Sequence, residues 1–104
     1  MAWIYLGLAG LLEVVWAVAL KASDGFTRWL PGAIMAVGIV TSFWFLSRAF
    51  REIPMGTAYA VWTGIGAAGV ALLGMLFYDE PASLARVGFL ALILIGIVGL
   101  KISA

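Results

Sequence analysis

Cysteine and histidine are both missing from this chain. Their absence excludes disulfide bridges, thiolate zinc sites and a histidine-ligated haem, and no metal or cofactor is expected. Charge is nearly as scarce, with six basic and five acidic residues among 104 and a net charge of +1. Charges so few and so evenly balanced supply no basic patch of the kind that holds nucleic acid. Whatever chemistry the chain performs must use carboxylates, hydroxyls, indoles and backbone groups.

Apolar residues dominate instead, at 65% of the sequence with a mean hydropathy of +1.17. A small water-soluble domain keeps much of its surface exposed and could not hide that share of apolar side chains, so lipid is the expected solvent. One helical span takes about 20 apolar residues, and four would use roughly 80 of those available. The runs fall at about Trp3–Leu20, Pro31–Phe50, Met55–Tyr78 and Leu84–Ile102, separated by short connections. Ser23-Asp24-Gly25 is a turn signal, Pro31 suits the first turn of a helix, Pro54 interrupts a helix, and Asp79-Glu80-Pro81 closes the third run. None of the runs alternates polar with apolar residues, so barrel strands are the weaker reading and an all-α membrane domain the stronger. The first run reads as a retained helix, because it lacks the basic start of a secretory signal and Glu13 interrupts it.

Four of the five acidic residues, Asp24, Glu52, Asp79 and Glu80, lie in connections that water reaches. Glu13 lies about 15 Å along its helix from Trp3, near the bilayer midplane. An ionised carboxylate there costs several kcal/mol unless a cation, hydrogen-bond donors or a wet cavity compensates it. The basic residues Lys21, Arg28, Arg48, Arg51, Arg86 and Lys101 all fall near helix ends, so the missing countercharge is read as a transported cation or a proton. A structural glutamate bonded to a neighbouring helix is the plainer alternative.

Gly10, Glu13 and Trp16 recur at three-residue spacing and share one face. Gly10 leaves room beside the carboxylate, while Trp16 offers an indole donor and a cation-attracting ring, although it could equally be a packing residue. In the third span Tyr59, Trp62, Thr63 and Gly66 share a face of aromatic walls, hydroxyls and a gap. Gly64 and Gly66 permit a bend, and close helix packing is the commoner use of such glycines. Ser42 joins Thr41 and Ser47 as a polar candidate of the second span, with a carbonyl of its own helix as its usual partner. Gly88, Gly96 and Gly99 suit the fourth span to association with another helix.

With these residues in place, the sequence closely resembles the small multidrug resistance family of bacterial transporters over essentially its whole length. The resemblance is carried by Gly10-Leu11-Leu12-Glu13-Val14-Val15-Trp16-Ala17, by Leu20-Lys21 and Gly25-Phe26-Thr27-Arg28, by the run from Pro54 to Gly66, and by Gly96-Ile97-Val98-Gly99-Leu100-Lys101. The tryptophan three residues after the glutamate and the closing Gly-Leu-Lys resemble the guanidinium-exporting branch rather than the exporters of polyaromatic cations. That resemblance implies an antiparallel, dual-topology homodimer exchanging protons for guanidinium across the bacterial inner membrane. It also implies that Glu13 is the shared proton and cation site and that Trp16 and Ser42 support it by hydrogen bonding. Tyr59 and Trp62 would line the pocket, Gly10 would give clearance, and Gly64 and Gly66 would bend the third helix.

Rival functions are export of quaternary ammonium or polyaromatic cations, a membrane assembly subunit that transports nothing, and an intramembrane enzyme. The last is poorly served by one carboxylate without metal ligands or a second acid. A single protomer encloses little, whereas two would place two carboxylates around one cavity. Charge distribution supports two orientations. Arg48, Arg51 and Lys101 lie on the side holding both termini, while Lys21, Arg28 and Arg86 lie on the other. Since orientation follows the lysine and arginine bias, three on each side give no preference.

Overall fold

A computed structural model describes residues 1–103 and contains four α-helices: α1 (Ala2–Ala22), α2 (Trp29–Ala49), α3 (Met55–Phe77) and α4 (Leu84–Ser103). Each is long and apolar enough to cross a membrane. The second begins at Trp29, two residues before the expected Pro31. Proline lacks only an N–H that would be unpaired anyway in a first turn, and the first helical bond there runs from the Gly32 N–H to the Arg28 carbonyl at 3.2 Å.

Ser23 organises the connection after α1. Its hydroxyl donates to the Leu20 carbonyl at 2.7 Å and accepts from the Phe26 N–H at 3.2 Å, while its own carbonyl takes the N–H groups of Thr27 and Arg28. The chain then passes through left-handed conformations at Asp24, Gly25 and Phe26, of which only the glycine adopts that region without steric cost. After α2, buried Ala49 and Ile53 pin the next turn, with the Ile53 N–H on the Ala49 carbonyl at 2.9 Å.

Helix α1 packs against both α2 and α3, whereas α4 packs chiefly against α3. The result is a slab of 41 × 35 × 17 Å, too thin to surround any one helix. Close approach is made by small residues: Ala2, Ala9, Ala49, Ala58 and Ala68 are buried, with Leu6, Leu46, Val61 and Trp62 filling the space between them. Small residues serve here because apolar side chains gain little by leaving lipid, so packing and polar contacts must hold the helices together. No residue of α4 is buried.

Basic residues near the helix ends lie over aromatic rings: Lys21 on Tyr78 at 5.2 Å, Arg48 on Trp44 at 4.9 Å and Lys101 on Trp3 at 5.6 Å. These contacts hold cations and amphipathic rings together at the two ends of the spans, where headgroups lie. Arg86 at the start of α4 pairs with Glu80 at 3.1 Å, the sole ion pair among the described residues.

Candidate functional site

Glu13 lies mid-way along α1 and is turned toward α3. A methyl group built on Gly66 would collide with the Glu13 carboxylate and stand 2.9 Å from its Cγ. Only glycine leaves room for the acid at that crossing. The carboxylate Oε1 is buried and has no hydrogen-bond partner among the described residues, and the same holds for the indole Nε1 of Trp16. One helical turn therefore presents an acceptor and a donor, both shielded and both unsatisfied. Such groups are rare in folded proteins and each calls for an explanation.

Trp16 is seated by Gly38 of α2, where an added methyl would stand 2.9 Å from the Trp16 Cβ. Gly69 gives the same room to Val14, at 2.5 Å. The α1 face bearing Glu13 is thus lowered into its neighbours by glycines on both sides. Gly10, expected to give clearance beside the acid, has a side chain of α3 as its nearest neighbour. It faces Ile65, whose Cγ2 would be 2.6 Å from an added methyl, and it is Gly66 that gives the carboxylate room.

A polar lock stands one turn from the acid. The Ser42 hydroxyl donates to the Ala9 carbonyl at 2.7 Å, and the Trp62 indole N–H lies 3.2 Å from both that carbonyl and the Ser42 oxygen. Three helices meet at these atoms, all buried. Ser42 therefore bonds a carbonyl of another helix, unlike Thr41 and Ser47, which bond Val37 and Trp44 on their own. Ser42 engages the α1 backbone rather than the Glu13 side chain.

Tyr59 and Trp62 lie 5.3 Å apart between ring centres, and Phe43 lies 5.6 Å from Trp62. With Leu46, Phe50 and Met55 they wall an apolar groove of about 730 Å³ between α2 and α3. Glu13 does not line that groove. The face proposed for α3 spans about 100° of arc at 100° per residue, wide enough for its edges to part. Trp62 and Gly66 face the core, while Tyr59 is 53% exposed and Thr63 bonds the Tyr59 carbonyl on the outside. Helix α3 runs unbroken through Gly64 and Gly66, which here receive Ile97 of α4 and Glu13 of α1.

Two residues escaped the sequence reading. Ala9 matters through its carbonyl, which carries no side-chain signal, and Gly38 is one small residue among many.

Four apolar helices long enough to cross a membrane, with one partly buried acid among them, are the architecture of a multi-pass membrane protein. The Small Multidrug Resistance protein family profile matches residues 1–93. Relatives include the guanidinium exporter of Yersinia pseudotuberculosis, 55% identical over 104 residues and the full length of both chains. The guanidinium exporters of Citrobacter freundii and Salmonella typhimurium are each 55% identical over 103 residues, 99% of this chain and 98% of theirs. The chain belongs to the small multidrug resistance family, a family of multi-pass transporters of the bacterial inner membrane.

Proposed function

We propose that the protein exports guanidinium and small guanidinyl cations in exchange for protons, working by alternating access as an antiparallel homodimer. The observation that carries this reading is the Glu13 carboxylate, whose buried Oε1, set against Gly66 of α3, has neither a cation nor a donor among the described residues. A guanidinium ion is planar and rich in N–H donors, which matches a carboxylate in forked geometry. A proton satisfies the same oxygen, so the two ligands exclude one another and their fluxes are coupled. The Trp16 indole N–H supplies a donor beside the acid, and Gly66 keeps the space open. Ser42 and Trp62 act one step back, by fixing the α1 backbone at Ala9 and thereby the direction of Glu13.

Guanidinium is preferred over quaternary ammonium because the latter has no N–H to donate. The names of the relatives agree with that preference. Two copies together would place two Glu13 residues around one cavity, and the unburied face of α4, where Gly88, Gly96 and Gly99 meet nothing within 4 Å, offers a surface for contact with another copy. Oppositely inserted copies would then form an inverted pair, in which exchange of the two conformations turns an inward opening into an outward one.

The test is guanidinium uptake into proteoliposomes driven by an imposed pH gradient, with tetramethylammonium as competitor. Gradient-dependent uptake resistant to tetramethylammonium is expected; equal competition would assign the chain to export of quaternary or polyaromatic cations. Orientation is read with a reporter at the C-terminus, which should report both sides of the membrane. Added lysines at either end should then select one orientation, and a single fixed orientation in the unaltered chain excludes dual topology.

A further inference from the structure

At the end of α2 a cleft of about 350 Å³ is lined by Tyr5, Arg48, Arg51 and Glu52. It is separate from the groove beside Trp62 and from Glu13. We propose that this cleft binds the headgroup of a membrane phospholipid that carries both a phosphate and a primary ammonium, the phosphoethanolamine class.

The residues are displayed by a fixed turn. Ala49 is fully buried and Ile53 nearly so, and the N–H groups of Glu52 and Ile53 both reach the Ala49 carbonyl, at 3.1 and 2.9 Å. The Arg51 N–H closes on the Arg48 carbonyl at 3.2 Å. Arg48 lies over the Trp44 ring, which meets Tyr5 edge-on at 6.3 Å, and Tyr5 stacks on Phe45 at 5.8 Å. The cleft thus has one aromatic wall, Tyr5, backed by Trp44, whose ring lies beneath Arg48 at the end of its span, at headgroup depth.

Neither Arg48 nor Arg51 forms an ion pair among the described residues, and Glu52 forms none either. Two unpaired guanidinium groups and a phenol suit a phosphodiester, which arginine recognises through parallel N–H donors. A purely anionic headgroup would leave Glu52 beside a second negative charge. A primary ammonium removes that repulsion, and it also lies at the C-terminal end of α2, where the helix dipole favours a cation. A quaternary ammonium keeps the charge but cannot donate a hydrogen bond to the carboxylate. Trp44, one turn inward from Arg48, and Phe50 are exposed and supply apolar surface for the acyl chains.

The experiment is native mass spectrometry of the full chain in detergent, offered equal amounts of phosphatidylethanolamine, phosphatidylglycerol and phosphatidylcholine with identical acyl chains. The expected result is retention of phosphatidylethanolamine above the other two. Arg48→Gln with Arg51→Gln should lower bound lipid of every class by about tenfold or more, the scale of losing charge-assisted bonds to phosphate. Glu52→Gln should keep lipid bound but erase the preference for ethanolamine over glycerol. Arg86→Gln, at the opposite end of the molecule, should change neither. Equal retention of all three lipids, a preference for phosphatidylglycerol, or a Glu52 variant that keeps the ethanolamine preference each overturns the proposal. Because the readout is bound lipid, the outcome is independent of guanidinium transport.

Discussion

The glycines of the three-helix core and those of α4 look alike in the sequence and behave oppositely in the structure. Gly10, Gly38, Gly66 and Gly69 each receive a side chain from a neighbouring helix so closely that an added methyl would collide. Gly88, Gly96 and Gly99 face open space, on a helix with no fully buried residue. Helices α1 to α3 therefore form a finished unit built around one acid, and α4 is a surface attached to α3. The contrast separates residues that determine the shape of the site from residues available to another molecule.

The largest effect expected is loss of function without loss of fold. Glu13→Gln removes the charge while keeping the shape, so pH-driven guanidinium uptake and proton release on binding should both vanish. Helical content and detergent stability should hold or rise slightly, since burying an amide costs less than burying a carboxylate. Normal exchange by this variant would falsify the proposed mechanism.

Next comes Gly66→Ala, whose methyl falls on the Glu13 carboxylate. Overpacking of this kind costs about 1–3 kcal/mol, and displacement of the acid should reduce guanidinium affinity by about tenfold or more in calorimetric titration. Unchanged affinity would mean that the acid does not depend on this crossing.

Ser42→Ala should then destabilise the chain by about 0.5–1.5 kcal/mol, because the Ala9 carbonyl loses the nearer of its two side-chain donors and Trp62 one of its two acceptors in a buried setting. The check is thermal unfolding in detergent, with Thr41→Ala as the comparison. Thr41 bonds only within its own helix, and its substitution should shift the midpoint much less.

The smallest effect sharpens the contrast most directly. Gly96→Ala meets nothing within 4 Å and replaces a poor helix former with a good one, so the protomer should be unchanged or stabilised by up to about 1 kcal/mol. Gly38→Ala makes the same chemical change where Trp16 stands in the way and should destabilise. If the α4 face is where two copies meet, Gly96→Ala should also lower the crosslinked dimer fraction while protomer stability holds; equal behaviour of the two variants would erase the distinction between core and surface.

The sequence by itself determined that this is a four-helix membrane protein, because the length of each apolar run and the placement of Pro31, Pro54 and the Asp-Gly and Glu-Pro turns are local properties. It also singled out Glu13, since a lone acid in a run of apolar residues is costly wherever the helix ends up. Tertiary structure decided the partners. Whether a glycine receives a carboxylate, an isoleucine or nothing depends on how two helices cross, and Gly10, Gly66 and Gly96 differ in nothing but that. The same holds for Ser42, which could have bonded its own helix as Thr41 does but reaches Ala9 because α1 approaches within hydrogen-bond range. A backbone carbonyl has no identity in a sequence, so the atom on which Ser42 and Trp62 converge became visible only once three helices had been brought to one point.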